Sequence, residues 1–323
     1  MGLFFLLLEV SFRRMSGRSF AVQPMHPMHP TLLTSRPPTA ALEAAEEGKA
    51  PLVSESDSEN SEVSEAQRDY VLLGFDFKPW LPQVFMTSTV LGSACLFGFQ
   101  LPLLCTVLQL PKVPIFASCG VLAAATFASM GYSAAADPGQ IEDGGKGPAR
   151  SHKSWQYPRP IRRHDHYCKW INNVIGLRNH RPFILMLAGL TLTGMFGLLA
   201  DGYLTVVFWR EDHVATEVGL LLHAMYSAIL LYIVVPIVEI HAGLISRNEL
   251  AQEWQRRLYW VANCSLGLAI PASAIDDVEL YNELFDSGAF FYDPARNPYD
   301  NGLASNCASF WCTPRWSDTP GDF

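Results

Sequence analysis

The chain has 323 residues, of which 49% are hydrophobic, and a formal net charge of −8 at pH 7. This acidic balance argues against a nucleic-acid-binding protein, because there is no global basic field to attract phosphates. The seven cysteines include no CxxC pair, so the sequence indicates neither a secreted disulfide framework nor a four-cysteine zinc site.

Residues 1–70 are predicted to form a disordered, acidic tail. Pro, Ser, Glu and Ala are abundant between residues 16 and 67, and serines are interspersed with acids over residues 54–65. Such a composition cannot bury enough apolar surface to order the chain.

Four apolar blocks follow the tail. They cover residues 84–110, 113–136, 183–203 and 218–244, and each is near or above the roughly 20 residues that a helix needs to cross a bilayer. The sequence therefore predicts an all-α integral membrane protein with four transmembrane helices.

Few charged or titratable residues fall within these blocks. They include Asp201, Glu239 and His241. All three stand near predicted helix ends, where a position at the membrane interface explains them. A transporter is therefore the weakest of the functions that we consider, because an ion or proton path requires polar groups near the middle of the membrane.

Lys and Arg are concentrated between the second and third blocks and again after the fourth. The positive-inside rule places the central loop and both termini in the cytosol. We divide the chain into five segments. These are a cytosolic tail (1–70), a first helix pair (71–136), a cytosolic central loop (137–182), a second helix pair (183–244) and a cytosolic C-terminal segment (245–323).

The central loop contains one group of residues suited to nucleophilic chemistry, Asp165-His166-Tyr167-Cys168. The reactive form of cysteine is the thiolate, and a free thiol with a pKa of about 8.5 is mostly protonated at neutral pH. The imidazole of His166 can accept that proton, and the carboxylate of Asp165 can hold the imidazole in the required tautomer. The loop therefore predicts an activated cysteine nucleophile.

Four motifs in this order resemble those of the DHHC protein palmitoyltransferases. They are Asp137-Pro138-Gly139 after the second span, the DHYC signature with the residues that follow it to Asn179, the stretch 246–249 after the fourth span, and the stretch 297–310. The resemblance covers residues 71–312 and implies that the central loop is catalytic.

The resemblance implies a two-step reaction. Cys168 first accepts a fatty acyl group from acyl-CoA, with palmitoyl-CoA as the expected co-substrate, and then transfers it to a cysteine of a membrane-associated protein. His166 is then the general base and Asp165 the group that orients it. We expect an endomembrane location, in the Golgi or the ER, and partners that include the lipid bilayer but no nucleic acid.

Further residues take roles from the same resemblance. Arg159 and Arg162 are candidates for binding the CoA phosphates. Four other side chains are predicted to be structural, tying the loop and the C-terminal segment to helix ends by capping free backbone groups. These are Asp137, Glu249, Asn297 and Asn306.

The chain departs from the family in its metal ligands. The family's loop normally holds two zinc ions through cysteines and histidines, but residues 139–180 contain a single cysteine, Cys168, while Val174 and Tyr167 occupy ligand positions. We expect no structural zinc, or at most one weakly bound ion, and predict no other firm cofactor. Aromatic packing and ion pairs should hold the loop instead, through Trp155, Tyr157, Tyr167 and Trp170 and through loop arginines paired with Asp137 or Glu249.

Three functions remain open from the sequence. The first is an active S-acyltransferase, because the nucleophile, base and orienting residue are all present. The second is a catalytically inactive DHHC-like membrane protein that binds acyl-CoA or a partner. The third is a transporter with an incidental motif.

Overall fold

The computed structural model describes residues 71–72, 75–76, 78–141, 147–209, 214–263 and 269–315. The tail predicted to be disordered, residues 1–70, lies outside this described part. The described chain forms two compact units. One extends to Ala242 and includes residues 313–315, and the other is Gly243–Cys312.

Four helices are long and apolar enough to cross a membrane, with mean hydropathy between 1.7 and 2.2. They are α1 (Leu81–Val107), α2 (Lys112–Ala135), α3 (His180–Phe208) and α4 (Val214–Arg247). These helices confirm the four predicted spans to within a few residues at their ends, and the protein is a multi-pass membrane protein.

Small residues bring the helices close together. A Cβ atom on Gly189 of α3 would lie 2.0 Å from the hydroxyl oxygen of Thr126 on α2, and one on Gly92 of α1 would lie 2.1 Å from the ring of Tyr226 on α4. Within a bilayer, helix association depends on such close packing, because lipid tails are as apolar as the side chains themselves.

The outer faces of the spans are apolar and exposed. Val121, Leu199 and Val206 are all more than 70% exposed, which is expected where the surrounding solvent is lipid. The interior contains an apolar cluster that reaches from Phe85 through Leu190 and Leu230 to Cys168.

Asp201 lies about two turns before the end of α3 and faces the interior of the helix bundle. Its carboxylate is fully buried and accepts a hydrogen bond of 2.6 Å from Nδ1 of His223 on α4. The other ring nitrogen of His223 lies 3.1 Å from the carbonyl of Gly92. A buried carboxylate requires such a partner, and sequence analysis did not consider His223.

The second unit contains a small antiparallel sheet in the order β6-β5-β7. Its strands are β5 (Trp260–Asn263), β6 (Ala269–Pro271) and β7 (Phe290–Tyr292). Val261 in the central strand is opposite Pro271 on one side and Phe291 on the other.

Three short helices complete the second unit, namely α5 (Ala251–Gln255), α6 (Val278–Asp286) and α7 (Leu303–Cys312). In the first unit, a two-residue pairing of β1 (Val71–Leu72) with β2 (Phe75–Asp76) precedes α1. The chain is mostly helical as predicted, and these short strands are additions that the sequence analysis did not foresee.

Candidate active site

A short hairpin in the central loop positions Cys168. Strand β3 (His166–Cys168) pairs antiparallel with β4 (Asn173–Ile175). Side chains alternate between the two faces of a strand, so His166 and Cys168 share one face while Tyr167 lies on the other. His166 and Cys168 therefore share a face of the strand whichever residue lies between them, and that residue is Tyr167 here.

Asn173 ties this hairpin to the end of α2. Its side-chain amide donates to the carbonyls of Ser133 and Ala136, at 2.9 and 3.0 Å. Its side-chain oxygen accepts a hydrogen bond of 2.6 Å from the hydroxyl of Tyr157. A buried amide with all these partners fixes the hairpin relative to the membrane helix.

Aliphatic packing fills the interior of the loop. Ile161, Val174 and Leu177 are fully buried, and Val174 stands where the family has a cysteine. Gly176 allows the backbones to approach closely, because a Cβ atom there would lie 2.6 Å from Cγ2 of Ile161 and 2.8 Å from the carbonyl oxygen of Pro138. Hydrophobic burial thus stabilises the loop around the signature.

Asp137 shapes the turn that follows α2. One carboxylate oxygen accepts hydrogen bonds from the backbone amides of Gly139 and Gln140, at 2.9 and 3.0 Å. Gly139 has a φ of 115°, a conformation that favours glycine. The other oxygen pairs with Arg178 at 3.4 Å. The arginine paired with Asp137 is therefore Arg178, and the prediction that named Arg159, Arg162 or Arg163 is wrong for this carboxylate. Burial opposes ionisation, but the backbone bonds and Arg178 lower the pKa of this carboxyl.

The three predicted catalytic residues lie together. Nδ1 of His166 is 2.7 Å from Oδ2 of Asp165, and Cys168 lies on the same face of strand β3 as His166. Asp165 is fully buried and Cys168 is 7% exposed. The carboxylate therefore orients the imidazole beside the buried sulfur, an arrangement suited to an activated thiol.

The surroundings of His166 favour its protonated form. Burial alone would lower the pKa of this imidazole, but its hydrogen bonds with Asp165 and Cys168 raise it to about 10. Burial would likewise raise the pKa of the Asp165 carboxyl, but His180 and His166 hold it well below its usual range.

Two histidines that sequence analysis did not assign to the site adjoin it. The ring of His241 on α4 lies 5.5 Å from that of His166 and 5.8 Å from that of His180, at the start of α3. His241 is only 5% exposed and lies near the end of α4, as predicted. Sequence offered no signal beyond a histidine near the end of an apolar block, because the contact joins residues far apart in the chain.

The two candidate CoA-binding arginines differ in exposure. Arg159 is exposed, as a ligand for a soluble phosphate must be. Arg162 is 7% exposed, and its Nε atom donates to the carbonyl of Gly139. That contact holds the turn after α2 against the loop.

The expected aromatic cluster is divided into separate contacts. Trp155 packs edge-on against Tyr167 with ring centroids 5.4 Å apart. Trp170 instead packs against Phe85 of α1 at 5.9 Å, while Tyr157 contributes through its hydroxyl to Asn173. The prediction that all four rings pack together is therefore wrong.

The remaining structural candidates lie in the second unit. Asn297 donates to the carbonyl of Arg247 and Asn306 to that of Ser246, both at 2.8 Å, so both amides bond carbonyls at the end of α4. Glu249 accepts hydrogen bonds of 3.0 Å from Arg247 and from the indole of Trp260. Burial raises the pKa of the Glu249 carboxyl even though Arg247 opposes this effect.

The described part of the loop does not fit the two zinc ions that the family implies. A structural site requires four Cys or His ligands. His152 and His164 have ring centroids 6.2 Å apart, but no cysteine accompanies them among described residues 147–180 other than Cys168. In the described residues, the group compatible with a metal is Asp165, His166 and His241, which overlaps the catalytic residues.

Comparison with known proteins shows what the central part of the chain is similar to. Residues 145–257 match the model of the DHHC palmitoyltransferase family. Palmitoyltransferase ZDHHC5 of Bos taurus is 36% identical over 92 residues, and palmitoyltransferase ZDHHC8 of Mus musculus is 36% identical over 90 residues. This region of the chain is therefore similar to the DHHC palmitoyltransferases.

The similarity to these relatives covers only part of each chain. Each of these matches covers 28% of the chain and 12% of the relative's length. The region that matches the family model, residues 145–257, includes the hairpin that carries Cys168 and the whole of α3 and α4. It therefore includes the residues that surround His166.

Proposed function

We propose that this protein is a protein S-acyltransferase that uses Cys168 to carry the acyl group. The observation that carries the proposal is the hydrogen bond between His166 and Asp165 together with the position of His166 and Cys168 on one face of the hairpin. A positioned acid–base pair beside a cysteine is the requirement for covalent acyl transfer. The palmitoyltransferase names of the relatives agree with this chemistry.

The reaction follows from the positions of the protons. With His166 protonated, the thiolate of Cys168 attacks the thioester carbonyl of acyl-CoA, a bond from carbon to Sγ forms, and the CoA sulfur leaves with the proton of His166. In the second step His166 accepts the proton of a substrate cysteine. That sulfur attacks the acylated Cys168, which leaves as a thiolate, and His166 is again protonated.

The acyl tail is proposed to lie among the membrane helices. A small cavity there is lined from all four spans, and Leu190 and Leu230 belong both to its wall and to the apolar cluster that contains Cys168. A hydrocarbon chain attached to Cys168 can therefore extend through apolar surroundings. We propose palmitoyl-CoA as the donor and cysteines of membrane-associated proteins as acceptors.

The CoA portion must remain in water. The exposed guanidinium of Arg159 is our candidate for its phosphates, since arginine binds phosphate through paired hydrogen bonds. Arg162, which we also predicted to contact phosphate, contributes by supporting the turn at Gly139. The basic loop and both termini are proposed to face the cytosol of a Golgi or ER membrane, where acyl-CoA is available.

Incorporation of labelled palmitate into the purified protein tests the proposal. The wild-type chain should acquire a label that hydroxylamine removes, because hydroxylamine cleaves thioesters. Cys168→Ser should abolish this label, and mass spectrometry should locate the acyl group on Cys168 in the wild type.

The double variant Cys307→Ser with Cys312→Ser is the matched control, because both cysteines lie on α7 in the second unit. It should retain labelling at Cys168. Undiminished thioester labelling of Cys168→Ser would refute the assignment. A folded wild-type protein that binds palmitoyl-CoA but never becomes acylated would instead establish the inactive alternative.

A further inference from the structure

A buried group of histidines extends beyond the residues that the acyl transfer uses. Asp165 and His166 come from the loop, whereas His241 comes from α4, yet each offers a ligand atom within 4.8 Å of the others. The proposed reaction uses Asp165 and His166. It does not account for His241, which is buried beside them.

The donor set suits a divalent transition metal. One carboxylate with two or three imidazoles is a combination that Zn²⁺ binds, with bonds of about 2.0–2.2 Å in a tetrahedral arrangement. Such bonds place neighbouring ligand atoms about 3.3 Å apart. From Oδ2 of Asp165, the nearest nitrogens of His166 and His180 are 2.7 and 4.0 Å away. These distances lie on either side of the tetrahedral value, and small side-chain rotations would equalise them.

His241 supplies a second and independent observation. Its Nδ1 atom is buried and has no hydrogen-bond partner among the described residues. Leaving a buried polar nitrogen without a partner is unfavourable, and a ring nitrogen of His241 lies within 4.8 Å of the ligand atoms of Asp165 and His166. The other two residues of the group have hydrogen bonds in the structure, so His241 is the member that indicates a missing ligand.

We propose that Asp165, His166 and His241 form a reversible Zn²⁺ site, with His180 as the fourth ligand, and that an ion bound there stops acyl transfer. The ion replaces the proton held between Asp165 and His166, and no group is oxidised or reduced. His166 is then unable to exchange a proton with Cys168 or with the leaving CoA. The inhibition rests on the proposed function, whereas the binding of the metal does not.

This site differs from a structural zinc centre in what its removal does. The loop is packed around Ile161, Val174 and Leu177 and anchored through Asn173 without any contribution from the ion. Stripping the metal should therefore leave the protein folded. A structural centre would instead lose its fold with its metal.

Titration of the full chain in detergent tests the binding directly. After treatment with a chelator and its removal, Zn²⁺ alone is added and binding is measured by competition with a coloured zinc indicator. The wild type should bind one ion per chain, and His241→Gln should weaken binding at least tenfold. Co²⁺ in place of Zn²⁺ should produce the intense visible absorption of a tetrahedral site in the wild type and lose it in His241→Gln.

His152→Gln is the matched control, because it removes a loop imidazole outside the group and should bind Zn²⁺ as the wild type does. If His241→Gln binds Zn²⁺ with unchanged affinity, or if the wild type binds none, the site is refuted. Should His241→Gln fail to fold, judged by its melting temperature without metal, His180→Gln replaces it and must weaken binding.

The inhibitory effect is measured separately on self-acylation, with each variant compared with its own metal-free rate. Zn²⁺ should slow the wild type and His152→Gln at concentrations that leave His241→Gln unaffected. A bound ion that leaves the wild-type rate unchanged would refute the inhibition and retain the site. A protein that is never acylated would refute the proposed function, and the Zn²⁺ titration would still decide whether the site exists.

Discussion

His166 has three kinds of neighbour, and they determine how it acts. Asp165 fixes its orientation, Cys168 is its reaction partner, and Phe183 packs edge-on against its ring with centroids 5.4 Å apart. Because the pKa of His166 is raised to about 10, the ring holds its proton at neutral pH. In the proposed reaction, its first step is therefore to donate a proton to the leaving CoA.

Replacing His166 should expose this role. His166→Ala should slow self-acylation by about a hundredfold or more, the scale of losing a positioned acid–base group. Asp165→Asn should have a smaller effect, since it keeps the shape of the side chain but loses the charge. The measurement is the initial rate of palmitate incorporation at neutral pH, and a wild-type rate in His166→Ala would show that other groups ionise Cys168.

The hairpin formed by β3 and β4 is the element on which the site depends. It places His166 and Cys168 on one face, and the bonds from Asn173 fix it to the end of α2. The loop that enters it crosses close to Gly176, where there is no room for a side chain. Small changes at this crossing should therefore move the catalytic residues.

Gly176→Ala tests that dependence. The added methyl group would contact Ile161 and the carbonyl of Pro138 at distances under 3 Å, and overpacking of this kind costs about 1–3 kcal/mol. The melting temperature and the acylation rate should both fall. Gly202→Ala on α3 is the matched control, because no atom lies within 4 Å of its added Cβ. It should leave both unchanged or slightly raise the melting temperature, whereas equal effects at the two glycines would contradict the account.

The arrangement of the whole molecule in the membrane leads to a topological prediction. We expect the four spans in the described residues to place both termini on one side, and the accumulation of Lys and Arg in the central loop predicts that this side is the cytosol. Tags at either terminus and at Lys146, which lies outside the described residues, should all be digested by protease added to intact, right-side-out microsomes. Protection of the tag at Lys146 would overturn both the topology and the proposed access to acyl-CoA.

The stability of the molecule should not depend on structural zinc. The loop is held by buried aliphatic residues such as Val174, by the hydrogen bonds of Asn173 and by the pair of Asp137 with Arg178. Treatment with a chelator should accordingly leave the melting temperature unchanged and should not reduce activity. Elemental analysis that finds about two tightly held zinc ions per chain, the number that the family pattern implies, would contradict this prediction.

Local patterns in the sequence were sufficient for the spans and for the catalytic motif. Each membrane helix is a continuous apolar block, and hydrophobicity over about 20 residues is a local property that can be counted. The relation between His166 and Cys168 is also local, since it depends on residues two apart. The resemblance to the DHHC family likewise rested on short local motifs, four of them in order along the chain.

Only the tertiary structure decided which distant residues meet. His241 and His223 lie on the same span, yet one joins the loop histidines and the other pairs with Asp201 on α3. The pairing of Asp137 with Arg178 and the separation of Trp170 from Trp155 were equally hidden. Such contacts depend on the rotation of each helix about its axis and on the close approach allowed by residues such as Gly92 and Gly189. These are set by packing across the whole bundle, and no short stretch of sequence records them.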